Sequence, residues 1–395
     1  MKTFLLSILF FSSTIGMTQT QVIRTLDGRK LTGTQIDAIV KAQMEAANVH
    51  GLSLSILNNN KTVYKKAFGY KNKPENQLLD TAAVLYAASF SKAVFAFLAL
   101  KLVEDKTISL DRPLYQYLKQ PLPFYEYYAD LAVSDDWRLI TPRMCLSHTT
   151  GLPNSRWIDP ITGNQDTVGK MKIYFTPGTR YAYSGEGMKL LQLAIEEITQ
   201  KTVEALAIEK VFRPFGMNST GYIWYPRFDS NYAIGHLANN ELNPKKKRSI
   251  PVASGSMVTT IGDYSRFLEK VMQGKGLTPK LLKEMLHPQI KIHSKYQFPT
   301  IIPETSTELE GIQLAYGLGW GLLKSPYGLG FFKEGHDDAW RHYNINFPKV
   351  GTSIVIMTNS ENGEFIFKEL LQKLIGDTFT PWQWHRYYPK GYVAE

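Results

Sequence analysis

The sequence predicts an α/β protein of the α+β kind. One antiparallel sheet is assembled from both chain ends, an N-terminal and a C-terminal helix flank it, and a mainly helical subdomain is inserted between its halves. Three observations predict this arrangement. The N-terminal part reads as a helix followed by a hairpin. The C-terminal part reads as a hairpin followed by a helix. The stretch between them carries helical periodicity broken by long loops rich in Pro, Gly and aromatic residues.

Taken in order, Thr34 is placed to cap a helix over residues 35–47, where Ile36, Ile39, Val40 and Met44 recur at helical spacing and Gly51 follows its end. Residues 52–57 and 63–68 read as strands joined by Asn58-Asn59-Asn60. The middle holds helical segments at 91–104, 187–199 and 203–212, with two further patterns at 261–272 and 278–286. Near the C-terminus, residues 343–347 and 353–358 read as strands joined by Pro348-Lys349-Val350-Gly351. A helix over 364–374 follows, with apolar Phe365, Phe367, Leu370, Leu371 and Leu374, and Gly376 stops it. With no internal repeat and no low-complexity linker, one catalytic unit is expected over residues 19–395. Its sheet subdomain comprises 22–85 and 250–395, and its helical subdomain 86–249.

Composition bounds the partners. The 395 residues are 44% hydrophobic and 20% charged, which suits a chain that buries a sizeable core. The formal net charge of +10 has one local concentration, Lys245-Lys246-Lys247-Arg248, which reads as a solvated loop because no nucleic-acid motif accompanies it. Cys145 is the single cysteine, so no internal disulfide forms, and its apolar neighbours Met144 and Leu146 point to a buried, inert thiol. Residues 1–18 read as a signal peptide: Lys2, a short apolar run from Phe4 to Phe11, then small residues before cleavage at Gln19. That run is too short to span a bilayer, so a periplasmic or secreted location is expected.

The strongest chemical signal is Ser89-Phe90-Ser91-Lys92 at the head of an apolar helix. Positions three apart share a helix face, so the lysine amine can reach the serine hydroxyl. Burial disfavours the ammonium form and leaves Lys92 able to accept a proton, while the helix N-terminus brings N–H groups to Ser89. These are parts of an activated nucleophile. Ser-x-x-Lys also occurs with the serine as a cap and the lysine at the surface, a reading that fits poorly with the apolar run behind it. A second signal is Tyr181-Ala182-Tyr183-Ser184-Gly185-Glu186-Gly187, where a tyrosine on a Gly-flanked loop can shuttle a proton. Spacing does not choose between Tyr181 and Tyr183. A third is Gly335-His336-Asp337-Asp338-Ala339-Trp340-Arg341, which can bring polar groups and a backbone N–H to a sheet edge. His336 lacks partners at metal-ligand spacing, so no metal is expected. The chain has no Gly-x-Ser-x-Gly elbow, no Gly-x-Gly-x-x-Gly and no P-loop, so an α/β-hydrolase and a nucleotide cofactor are not expected, nor any other cofactor.

The ordered set of motifs resembles the serine β-lactamase-like family, which includes class C β-lactamases, penicillin-binding D-peptidases and β-lactamase-fold carboxylesterases. Besides Ser89-x-x-Lys92, the set includes Phe68-Gly69-Tyr70 and residues 108–114, Ile-Ser-Leu-Asp-Arg-Pro-Leu. It includes residues 146–153, Leu-Ser-His-Thr-Thr-Gly-Leu-Pro, close to the family's Leu-x-His-Thr-Ser-Gly-Leu-Pro. It continues with Phe175-Thr176-Pro177-Gly178, Tyr183-Ser184, Phe215-Gly216-Met217, Ser254-Gly255-Ser256-Met257 with Thr259-Thr260, and residues 316–320, Tyr-Gly-Leu-Gly-Trp.

The resemblance implies a β-lactamase/transpeptidase-like fold and an acyl-enzyme on Ser89. It implies that Lys92 and Tyr183 share the proton, that backbone N–H groups of Ser89 and Ala339 form the oxyanion hole, and that His148 is structural. It sets His336 where the family has Lys or His, with Asp337 and Asp338 after it in the substrate site. Two departures follow on that alignment. Tyr-x-Asn reads Tyr183-Ser184-Gly185, and Lys-Thr-Gly or His-x-Gly reads His336-Asp337-Asp338. Both weaken the case for efficient β-lactam hydrolysis, and the two aspartates favour a cationic substrate. The expected activity is hydrolysis of an ester or amide, of carboxylesterase or D-peptidase type. The alternatives are a true class C-like β-lactamase and a weakly catalytic homologue that binds cell-wall peptides. The expected partners are a small-molecule or peptide substrate (ester, D-peptide or β-lactam) and the cell wall, with no nucleic acid and no stable membrane span.

Overall fold

The structure, a computed structural model, describes residues 22–244 and 246–391. The expected signal peptide, residues 1–18, lies outside the described residues, as does Lys245 of the basic run.

The centre of the molecule is a nine-stranded antiparallel sheet. Its strands are β1 (Gly51–Asn58), β2 (Lys61–Asn72), β3 (Gln77–Leu78), β4 (Ile290–Lys291), β5 (Ala315–Tyr316), β6 (Gly321–Ser325), β7 (Gly328–Asp337), β8 (Trp340–Phe347) and β9 (Thr352–Thr358). They lie side by side in the order β4-β5-β6-β7-β8-β9-β1-β2-β3. The sheet therefore joins the two chain ends at one seam, β9 against β1, where Ile354 faces Ile56 and Ile356 faces Leu54. The β1–β2 turn is made by Asn59 and Asn60, both in the left-handed region (φ 52° and 59°), as a two-residue hairpin turn of right twist demands. It touches the β8–β9 turn, where a Cβ on Gly351 (φ 69°) would meet Asn59 Cα at 2.8 Å.

The principal helices are α1 (Gly33–Ala47), α2 (Phe90–Glu104), α3 (Gly185–Thr199), α4 (Ile261–Met272) and the short α5 (Phe367–Leu370). Period-two alternation on the sheet serves two cores. Leu52, Leu54, Ile56, Ile354 and Ile356 face α1 and the C-terminal helices, with Ile36, Val40, Leu370 and Leu374. Val355 and Met357 face the other way, into a second core with Phe90, Phe97, Leu98, Phe267 and Trp320 from α2, α4 and the loop before β6. α2 is almost wholly buried, which accounts for its unbroken apolar sequence.

Local details differ from expectation. The cap of α1 is Thr32, not Thr34: the Gln35 N–H donates to Thr32 Oγ1 (3.2 Å) and the Thr32 N–H donates to Gln35 Oε1 (2.8 Å), a reciprocal capping box. The C-terminal helix is a 3-10 turn (Glu361–Ile366), then α5, then a wide turn (Leu371–Ile375) ended by Gly376 at φ 73°. The segment read as one helix over 203–212 is helical at Val203–Ala207 and widens over Ile208–Phe212. Among the described residues no helix is long and apolar enough to cross a membrane.

Candidate active site

The site lies where the head of α2, the head of α3 and the end of β7 converge. Ala87 donates its N–H to the Met257 carbonyl, and Ala88 then turns through the left-handed region (φ 46°), so Ser89 enters α2 from a sharp bend. An alanine costs about 1 kcal/mol in that conformation. The bend is held by Ser91, whose hydroxyl donates to the Ala88 carbonyl (2.5 Å) and accepts from the Met257 N–H (3.1 Å). Ser89 stands at the helix cap, yet its hydroxyl makes no capping bond. It lies 2.9 Å from Lys92 Nζ instead. The lysine amine is also held on the Ser254 carbonyl at 2.5 Å. Burial, and then the neighbouring Lys333 cation, hold Lys92 well below the usual lysine range, which favours the neutral amine.

Tyr183 reaches the same point from the loop before α3. It is buried, and its phenol accepts a hydrogen bond from Lys333 Nζ (3.0 Å). Burial and the Glu334 carboxylate push it well above the usual tyrosine range, while a hydrogen bond with Ser89 pulls it back. His148 stacks beside it, ring centres 4.3 Å apart, and His148 Nδ1 accepts from the Ser184 N–H (3.1 Å). Burial keeps that imidazole neutral, so it works as a prop for the 183–184 backbone. Tyr181 packs in the next layer, against Tyr316 and Trp384.

Lys333 and Glu334 were not foreseen. Lys333 Nζ sits 2.6 Å from Glu334 Oε1, both side chains buried, and the carboxylate is joined to Gln297 Nε2 (3.0 Å), whose Oε1 meets His385 Nδ1 (3.0 Å). Burial depresses Lys333 and raises carboxylates, but the pairing with Lys333 leaves Glu334 below the usual carboxylate range. The signal was present in the sequence: Lys333-Glu334-Gly335 is itself a Lys-x-Gly triplet, three residues before the one read for that role. Side-chain alternation decides between the two. Lys333, Gly335 and Asp337 share the face of β7 that looks toward α2. A Cβ on Gly335 would come within 3.0 Å of the Ala87 carbonyl, so this is the glycine that allows the strand to approach the turn before Ser89.

The placement of the third motif changes accordingly. His336 alternates away from Lys333 on β7, its Nδ1 3.4 Å from Glu364 Oε2, and both His336 and Glu364 line the same cavity as Ser89. Asp337 and Asp338 remain on the cavity wall, Asp337 Oδ1 accepting the Asp338 N–H at 2.9 Å. Ala339 is corrected as an oxyanion-hole residue. It is fully buried, packs against Gly235 where a Cβ would meet its own at 2.7 Å, and does not line the cavity. Asp337 pairs with Trp340, so Asp338 and Ala339 form the tight turn between β7 and β8. β7 outruns β6, whose pairing stops at Phe332, so residues 333–337 have a strand on one side only. Lys333 Nζ reaches the Glu334 carbonyl (3.3 Å), which places that carbonyl on the open edge. Alternate residues send both backbone groups the same way, so the His336 N–H points to that edge too.

Ser89, Tyr183, Glu334 and the 336–338 segment line one cavity of about 570 Å³, with Ile158 and Phe298 on an apolar wall. Gly185 begins α3 at its margin. No group of three His, Cys, Asp or Glu suited to a metal occurs among the described residues.

A buried α2 that carries a serine and a lysine under one end of a large antiparallel sheet defines the β-lactamase/transpeptidase-like fold. The solved structure of EstCE1, "a hydrolase with promiscuous acyltransferase activity", superimposes with a TM-score of 0.68 over 87% of this chain and 97% of its own, at 16% identity. The chain belongs to the Beta-lactamase family, whose model matches residues 36–375, and it is thus a β-lactamase-fold member of a family of hydrolases. Relatives include Protein flp of Staphylococcus aureus, 22% identical over 342 residues, 85% of this chain. The chain spans 64% of the length of that protein. D-alanyl-D-alanine-carboxypeptidase/endopeptidase AmpH of Escherichia coli is 22% identical over 345 residues, covering 83% of this chain and 85% of its own.

Proposed function

We propose that this chain is an exported serine hydrolase, one catalytic unit over residues 19–395, that forms an acyl-enzyme on Ser89 and hydrolyses an ester or amide. The observation that carries the proposal is the 2.9 Å contact of a buried Lys92 amine with Ser89 Oγ, beside the Tyr183 phenol. Neutral Lys92 takes the Ser89 proton as Oγ bonds to the substrate carbonyl carbon. The carbonyl oxygen gains the negative charge and is met by the N–H groups of Ser89 and His336. Tyr183, held protonated, hands a proton to the leaving group as its bond to the carbonyl carbon breaks, and takes one back through Lys92. Water then adds to the acyl carbon by the same route in reverse and frees Ser89. Carboxylesterase or D-peptidase chemistry fits this better than β-lactamase chemistry, because Glu334 stands where Lys-Thr-Gly carries a hydroxyl. Asp337 and Asp338 on the cavity wall repel an anionic substrate group and suit a cationic one.

The test is intact-mass detection of adducts with a fluorophosphonate, p-nitrophenyl esters, D-peptides and a penicillin. A stoichiometric adduct in the parent and none in Ser89→Ala is expected. Ester or D-peptide turnover with slow nitrocefin hydrolysis is expected; rapid nitrocefin hydrolysis assigns a β-lactamase, and no adduct at all assigns a binding homologue.

A further inference from the structure

Gly185 leaves position 185 without a side chain, at the point where Tyr-x-Asn carries an amide. The space is not empty. A Cβ built on Gly185 would lie 2.4 Å from the Asn154 carbonyl oxygen and 3.1 Å from Asn154 Oδ1. No side chain fits at 185 while Asn154 stays where it is, and Asn154 lines the same cavity as Ser89 and Tyr183.

The segment bearing Asn154 is fastened to the head of α3 on both sides of that residue. The Ser184 hydroxyl donates to the Pro153 carbonyl (3.1 Å), and the Glu186 N–H donates to the same oxygen (3.3 Å). Past Asn154, the Arg156 N–H donates to Glu186 Oε1 (3.1 Å), and the Arg156 guanidinium grips Asp130 (2.7 Å) and the Tyr127 carbonyl (2.7 Å). Position 154 is thereby fixed relative to Ser184 and, one residue earlier, to Tyr183.

We infer that Asn154 supplies the substrate-binding amide that position 185 lacks, making it a specificity-determining residue for acyl donors with an amide next to the scissile carbonyl. The inference rests on the acyl-enzyme reading of Ser89. A primary amide both donates and accepts, so it matches the C=O and N–H of a peptide-like acyl group, and a methylene analogue forfeits that match.

The test compares the p-nitrophenyl esters of N-benzoylglycine and 4-phenylbutanoic acid, which differ in that amide. The readout is the ratio of their kcat/KM values, which cancels general damage to the nucleophile. Asn154→Ala is expected to lower the ratio about tenfold. Asn154→Asp, nearly isosteric but without the N–H donor, lowers it too and guards against a misfolded alanine variant. An unmoved ratio in folded Asn154→Ala and Asn154→Asp overturns the inference while a fluorophosphonate adduct on Ser89 leaves the acyl-enzyme reading standing. A parent chain with no adduct overturns both.

Discussion

Lys92 and Lys333 lie against the same phenol, their amines 5.0 Å and 4.8 Å from the centre of the Tyr183 ring. Only Lys333 has a carboxylate at contact distance, so the low dielectric favours charge on Lys333 and neutrality on Lys92. On the proposed mechanism acylation should rise with pH as Lys92 loses its proton, because only the free amine can take the proton of Ser89. Lys333→Met removes a cation that depresses Lys92, so the acid limb of the acylation profile should move to higher pH, read from the rate of fluorophosphonate labelling across pH. The same change strands a buried Glu334, and a loss of about 3 kcal/mol in denaturant unfolding is expected. How much of this cluster was legible depended on distance along the chain. Ser89 and Lys92 share one helical turn, so their meeting follows from spacing alone. Tyr183 comes from a distant loop, with several helical elements in between, and only a resemblance distinguished it from Tyr181. Lys333 was passed over because His336 is the more conspicuous residue, and nothing local states which of two nearby triplets faces the nucleophile.

At the scale of elements, β7 does the positioning. Its last residues pair with β8 alone, and at Gly335 the strand lies close against the Ala87 carbonyl in the turn before Ser89. Gly335→Ala would set a methyl 3.0 Å from the Ala87 carbonyl and 2.9 Å from His342 Cδ2. The strand must retreat, and acylation should slow about a hundredfold, the usual effect of moving reacting groups by about 1 Å. Labelling kinetics on a folded variant check this. Far from the site, Thr32→Ala removes the capping box of α1 and should reduce stability by about 1 kcal/mol in chemical denaturation, with labelling unchanged. That cap was misplaced by two residues from sequence because Thr34 also precedes the periodic run, and only the reciprocal bond with Gln35 separates the candidates. The turns were easier: consecutive asparagines between apolar runs announce positive φ.

At the scale of the whole molecule, α2 belongs to the core and to the site at once. Leu98, fully buried between sheet and helices, lies two turns below Lys92. Leu98→Ala should cost about 2–5 kcal/mol by urea unfolding. The overall architecture was readable because mirror-image helix and hairpin patterns at the two chain ends imply a shared sheet. The order of its nine strands was not, since short pairs such as β4 and β5 carry too few residues to show alternation. The seam between β9 and β1 joins residues some three hundred positions apart. A chain emerging from the ribosome makes its first long strands early and must hold them without their central neighbour until almost everything else has been synthesised. Any fragment that stops short of Thr352 leaves β1 with a bare flank, ready to pair with another copy. Nascent or truncated forms are therefore where this protein is most exposed to aggregation, and the finished sheet removes the hazard in a single late step.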